Sequence, residues 1–197
     1  MATDALISVA VGVGLAAACG FRVFVPLLMV SAAALGEYVP LAPGFEWIGT
    51  VPALIAFATA TILEVLAYKV PWLDHALDTL ATPAAIVAGM IACASVVADL
   101  PPLVRWAVIL IVGGLAAGAV QGTTVLVRLK SGLATGGIAN PLVAAGELAG
   151  AVVTSLLALT LPFVGLVLVT AACVFALYRL VKFIGSGRDL QQKGSDR

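Results

Sequence analysis

Long apolar runs separated by short polar connections make up most of this chain. The runs cover about Ala5–Leu35, Val51–Tyr68, a third run ending near Ala98, Leu103–Val127, Pro141–Leu161, and Pro162 to about Ile184. Runs of about 20 apolar residues match a helix crossing a hydrocarbon core of about 30 Å. The pattern therefore predicts an all-α membrane protein of about six transmembrane helices. The first run is too long for one pass, since 31 residues would extend about 46 Å as a helix. Gly20 and Pro26 both weaken a helix interior, so the first helix is expected to break near Gly20–Pro26. Between the second and third runs, Trp72, Leu73, Ala76, Leu77 and Leu80 recur at helical spacing, while Asp74 and Asp78 share the opposite side. That segment reads as a short interfacial helix or as the first turns of the third span. In the fourth run Gly114, Gly118 and Gly122 form a small-residue face that permits close helix approach, and a homodimer is a candidate assembly.

Composition narrows the function classes. Hydrophobic residues make up 62% of the chain and charged residues 10%, with a mean hydropathy of +1.18. Soluble domains average roughly 45–50% apolar and 25% charged residues. One transmembrane domain over 1–184, followed by a polar cytoplasmic tail over 185–197, leaves no room for a soluble catalytic domain. A net charge of zero and the lack of an internal basic run argue against a nucleic-acid partner. Cys19, Cys93 and Cys173 fall in three different runs without CxxC spacing, which fits small core residues rather than a disulfide framework.

Lys and Arg are unevenly divided among the connections. Lys69, Arg128, Lys130, Lys182, Arg188, Lys193 and Arg197 fall on the side of the C-terminal tail, and Arg105 falls opposite. With six spans, the positive-inside preference puts both termini in the cytoplasm of a bacterial cell, with the protein in its inner membrane. Gly14-Leu15-Ala16-Ala17 and Ser31-xx-Ala34-x-Gly36 recur one hundred residues later as Gly114-Leu115-Ala116-Ala117 and Ser131-xx-Ala134-x-Gly136. This recurrence frames two inverted three-helix repeats, 5–98 and 103–184, the arrangement of many transporters. Gly122 would then be the uncharged counterpart of Arg22.

Ionisable residues inside the apolar runs are the candidate chemistry. An isolated charge there costs about 2.5–3.5 kcal/mol on insertion scales, so Arg22 is expected to pair with Glu64, Glu147 or both. Such a cluster serves either as a polar pathway or as a cross-helix clasp. Asn140, with Pro141 behind it, is expected to cap the fifth run. The glycine-rich turn before it would then present free amides to an anion or polar solute. Asp74 and Asp78 are candidate ligands of a divalent cation through one helical face; no other cofactor is expected. Their spacing resembles the magnesium-binding DxxxD of membrane prenyltransferases and CDP-alcohol phosphotransferases, but no second acidic motif accompanies it. A solvated acidic face is the simpler reading.

Three pieces resemble an uncharacterised family of small bacterial integral membrane proteins that is known as a domain of unknown function. They are Gly20-Phe21-Arg22-x-Phe24-x-Pro26-Leu27, Glu64-xxx-Tyr68-xx-Pro71-xx-Asp74-xxx-Asp78 and Gly136-Gly137-xx-Asn140-Pro141-xxxxx-Glu147. The resemblance implies no activity. From the residues, the leading expectation is a transporter or channel-like protein for a small solute or ion, set in the lipid bilayer, with Arg22, Glu64, Glu147 and Asn140 at its site. The alternatives are a magnesium-dependent intramembrane enzyme acting on a lipid phosphate or diphosphate, and a non-catalytic scaffold.

Overall fold

The computed structural model describes the backbone of residues 2–67, 71–98 and 100–175, with the side chains of residue 2 and of 71–79 left out. The described backbone is helical with irregular connections and contains no strand. Seven helices follow one another: α1 (Ala2–Cys19), α2 (Phe24–Leu35), α3 (Val51–Ala67), α4 (Pro71–Val96), α5 (Pro102–Thr135), α6 (Asn140–Thr160) and α7 (Pro162–Phe175). Two of them, α5 and α6, are long and apolar enough to cross a membrane, and the others contribute shorter apolar stretches, such as Leu80–Val96 of α4. Trp72–Leu80 belongs to the first turns of α4. Within α5 the stretch Val108–Gly113 is wound as a π-helix.

The centre of the bundle is α1. Every residue from Ala10 to Gly20 is buried, and α1 contacts α2, α4, α5 and α6. Its small residues make that possible. A Cβ added at Gly14 would lie 2.6 Å from Ala158 Cβ of α6, and one at Gly20 would lie 2.5 Å from the Ala117 carbonyl oxygen of α5. Any larger residue would push these backbones apart. Val11, Leu15 and Cys19 join Leu27, Val30, Ile48, Ala92 and Cys93 in the main apolar core.

The first run breaks where expected, but the chain then folds back. Continued in line with α1, Ala34 would lie about 33 Å from Gly12. Instead, Ala34 meets Gly49, Leu41 lies beside Gly49, and the Ala42 amide donates to the Ser95 carbonyl at 2.7 Å. Cys93 and Val97, two residues to either side of Ser95, lie against Gly12. The far end of α2 thus returns toward the level at which α1 became buried, and Ser31 Oγ fastens it by donating to the Ile48 carbonyl at 2.6 Å.

This reversal changes the topology. Helix α4 runs antiparallel to α1, with Gly89 beside Ala16 and Cys93 beside Gly12. Helix α5 runs antiparallel to α4, with Arg105 near Ala94 and Gly118 near Ile86. It follows that α1 and α5 are parallel. The recurrence of Gly14–Ala17 as Gly114–Ala117 therefore does not mark an inverted repeat, which would set those helices antiparallel. Small-residue faces recur because both helices pack closely on α4, with Gly89 lying against Ala16 and Ala117. Helix α7 climbs back along the bundle, where Val169 joins Val13 and Ala17 of α1 and Ala116 and Val120 of α5 in a second apolar cluster. Seven alternating helices set Ala2 and Phe175 at opposite ends of the bundle, whereas six spans place both termini at one end.

Candidate functional site

The break between α1 and α2 builds the site. After Cys19 the chain tightens into a turn in which the Gly20 and Phe21 amides donate to the Ala17 and Ala18 carbonyls at 3.0 and 3.1 Å. A new helix begins at Phe24, and its first amides have no acceptor within it. Glu64 of α3 fills that need. Its Oε1 accepts from the Val23 amide at 2.9 Å and its Oε2 from the Phe24 amide at 3.2 Å. Pro26 has no amide hydrogen and sits in the first turn, where none is needed. A carboxylate at a helix N-terminus is also favoured by the helix dipole. Glu64 is therefore the cap of α2.

The turn projects Arg22 toward α6. Its side chain is 2% exposed, Nη2 donates to the Ala144 carbonyl at 3.0 Å, and the same nitrogen lies 3.5 Å from Glu147 Oε2. Glu147 has a closer partner. Arg128 of α5 grips both carboxylate oxygens, with Nε donating to Oε1 at 2.7 Å and Nη2 donating to Oε2. Arg128 and Glu147 are each 6% exposed. A bidentate guanidinium–carboxylate pair fixes both distance and plane. Glu147 thus ties α6 to α5 and to the break after α1.

Expectation and structure agree on Arg22 with Glu147 and differ at Arg128 and Asn140. Arg128 was read as a residue of a polar connection because the apolar run ends at Val127, yet α5 continues as helix to Thr135. The signal that could have found it is the polar stripe Gln121, Thr124, Arg128 at i, i+3, i+7, one face of a helix, and all three are buried. Asn140 is not the cap of α6. Ala139 holds that position and no side chain caps the helix there; Asn140 is its first residue, with Oδ1 buried and without a hydrogen-bond partner among the described residues. The chain turns into α6 through Gly136 and Gly137, whose φ values of 61° and 89° lie in the left-handed region that glycine enters most readily, and Thr135 Oγ1 accepts from the Ala139 amide at 3.2 Å.

Asp74, His75 and Asp78 stand in the first turns of α4, but their side chains lie outside the described residues, and so does the tail over 185–197. Among the described residues, no group of three or more His, Cys, Asp or Glu side chains is arranged to hold a metal ion.

The family model described as "Domain of unknown function (DUF4126)" matches residues 9–182, and the chain belongs to that family. No curated protein and no solved structure matches it.

Proposed function

We propose that this DUF4126 protein is an integral membrane protein that passes a small solute or ion, with Glu147 and its two guanidinium partners as the gate. Its outward surface supports a bilayer setting. Leu63 and Leu66 of α3, Leu110 and Leu115 of α5, and Val153 and Leu156 of α6 all face outward, an inside-out pattern for a water-soluble bundle. Tyr38, Trp47 and Trp106 are exposed on or beside the connections at one end, as residues of an interfacial belt would be. The other end carries Lys130, near the end of α5, so that end faces the cytoplasm of a bacterial cell by the positive-inside preference. The N-terminus then lies on the opposite side.

One observation carries the gate: a single carboxylate on α6 holds guanidinium groups from α5 and from the break after α1. An arriving anion, or a proton or cation taken up by Glu147, competes for the same contacts. Either event loosens three elements together. Glu64 serves this arrangement by holding the break in place.

A second reading, the scaffold, draws on the unbroken burial of Ala10–Gly20, since a dry centre with paired charges suits a clasp. The enzyme reading rests on Asp74 and Asp78. Reconstitution into proteoliposomes separates these readings. With a panel of small anions and protons, wild type is expected to raise permeability at least ten-fold over protein-free vesicles, Glu147→Gln to change that flux, and Arg105→Ala to leave it unaltered. Correctly inserted protein that moves none of the panel would overturn transport in favour of the clasp.

A further inference from the structure

The buried face of α6 carries Glu147, Ala151, Ser155 and Ala158. Two polar side chains thus share one stripe, with Ser155 about 12 Å along the helix from Glu147. Ser155 is fully buried, and its Oγ has no hydrogen-bond partner among the described residues. Other helical hydroxyls in this chain behave differently. Ser95, Thr124, Thr160 and Thr170 each donate to a carbonyl three or four residues back, the usual local solution for such groups. An orphaned buried hydroxyl costs about 1–3 kcal/mol, and a bound water or ion is one physical reason for keeping it.

Helix α5 fills the gap between Glu147 and Ser155. Phe21 lies against Gly150 of α6, and the preceding residue, Gly20, lies against Val120 and Gln121 of α5. Gln121 therefore stands across from the turn of α6 midway between Glu147 and Ser155. It belongs to the buried stripe Gln121, Thr124, Arg128, whose last member grips Glu147. Along the bundle axis each half of the gap is about 6 Å, the reach of one water with a hydrogen bond on either side. Beside this line α1 approaches closely, since a Cβ on Gly20 would lie 2.5 Å from the Ala117 carbonyl oxygen. That closeness suits water in single file rather than a solute.

We propose that the cargo of the Glu147 gate is a proton, and that Gln121 and Ser155 hold the water along which it crosses. The inference rests on the transport reading of that gate. At the gate, an O–H bond of hydronium breaks as the Glu147 carboxyl O–H bond forms. That bond breaks in turn as the proton passes to water held by Gln121 and Ser155, and no electron changes hands. The Gln121 amide and the Ser155 hydroxyl can each donate and accept, so they orient water for transfer in either direction. While protonated, Glu147 withdraws its charge from Arg128 and Arg22, which couples passage to the elements the gate joins.

The test uses the full chain in vesicles that enclose a pH-reporting dye, with potassium and valinomycin clamping the membrane potential. Wild type is expected to collapse an imposed pH gradient at least ten-fold faster than protein-free vesicles. Ser155→Ala, which keeps the packing and removes the orphaned hydroxyl, should slow this at least ten-fold at an unchanged or higher melting temperature. Gln121→Met, of similar volume, should slow it comparably. Thr160→Ala, whose exposed hydroxyl is bonded to the Leu156 carbonyl, should leave the rate unchanged. Chloride or nitrate flux without proton flux would overturn the proton as cargo and leave the gate standing. Movement of none of these ions would overturn both. Proton flux at the wild-type rate in Ser155→Ala or in Gln121→Met would overturn the route.

Discussion

Glu147 and Glu64 are glutamates in apolar helices that converge on the same chain break, but they meet different partners there. Glu147 is held by side chains, with Arg128 gripping both of its oxygens and Arg22 beside them. Glu64 is held by backbone, with the Val23 and Phe24 amides as its donors. The first carboxylate offsets formal charge, and losing it removes an ion-pair partner from guanidinium groups that are out of water. The second satisfies amides that would otherwise be orphaned where a helix starts, and losing it costs no more than a cap. Of the two, Glu147 joins side chains from separate elements, which is why the proposed gate is placed there.

Removing either carboxylate tests that contrast. Glu147→Ala is expected to destabilise the protein by about 3–5 kcal/mol, the usual cost of breaking a buried ion pair from one side, as read by chemical unfolding in mixed micelles. A smaller loss than for Glu64→Ala would reverse the assignment. Double-mutant cycles resolve the partners of Glu147: coupling to Arg128 should reach about 1.5–3 kcal/mol, and coupling to Arg22 should be smaller, because contact at 3.5 Å replaces a bidentate grip.

The position of the break is probed next. Gly20→Ala puts a methyl group against the Ala117 carbonyl and the Gln121 amide and should cost about 1–3 kcal/mol through overpacking. Gly122→Ala meets nothing within 4 Å and should be neutral or slightly stabilising by melting temperature. Glu64→Ala should cost about 1–2 kcal/mol, the range for a lost cap, and Glu64→Gln less, because its amide oxygen still accepts one bond. Hydrogen exchange at Val23 and Phe24 would rise in step. The smallest effect belongs to Arg105→Ala, at about 0.5 kcal/mol or below, since its guanidinium meets the Ala94 carbonyl only at 3.4 Å.

Much of this could be read from the sequence, and the errors have physical causes. Arg22, Glu64 and Glu147 stood out because a charge in an apolar run requires a partner. Arg128 did not, because it lies just past the apolar run, and hydropathy ends a span where a helix need not end. Nor did the sequence indicate that the hydrogen bonds of Glu64 would come from the Val23 and Phe24 amides. A backbone donor leaves no trace in composition, and its need for an acceptor exists only because the chain breaks at Gly20 and restarts at Phe24.

Composition and periodicity alone determined an all-helical chain, the break near Gly20–Pro26, and the buried charges that must find partners, since these follow from local backbone preference and the cost of desolvation. Which way α2 turns, that α1 and α5 run parallel, and which donors each glutamate receives were decided only in three dimensions. Those outcomes depend on where distant small residues such as Gly14, Gly20 and Gly89 let helices touch, and contacts between residues a hundred positions apart are not encoded in the pattern of any one run.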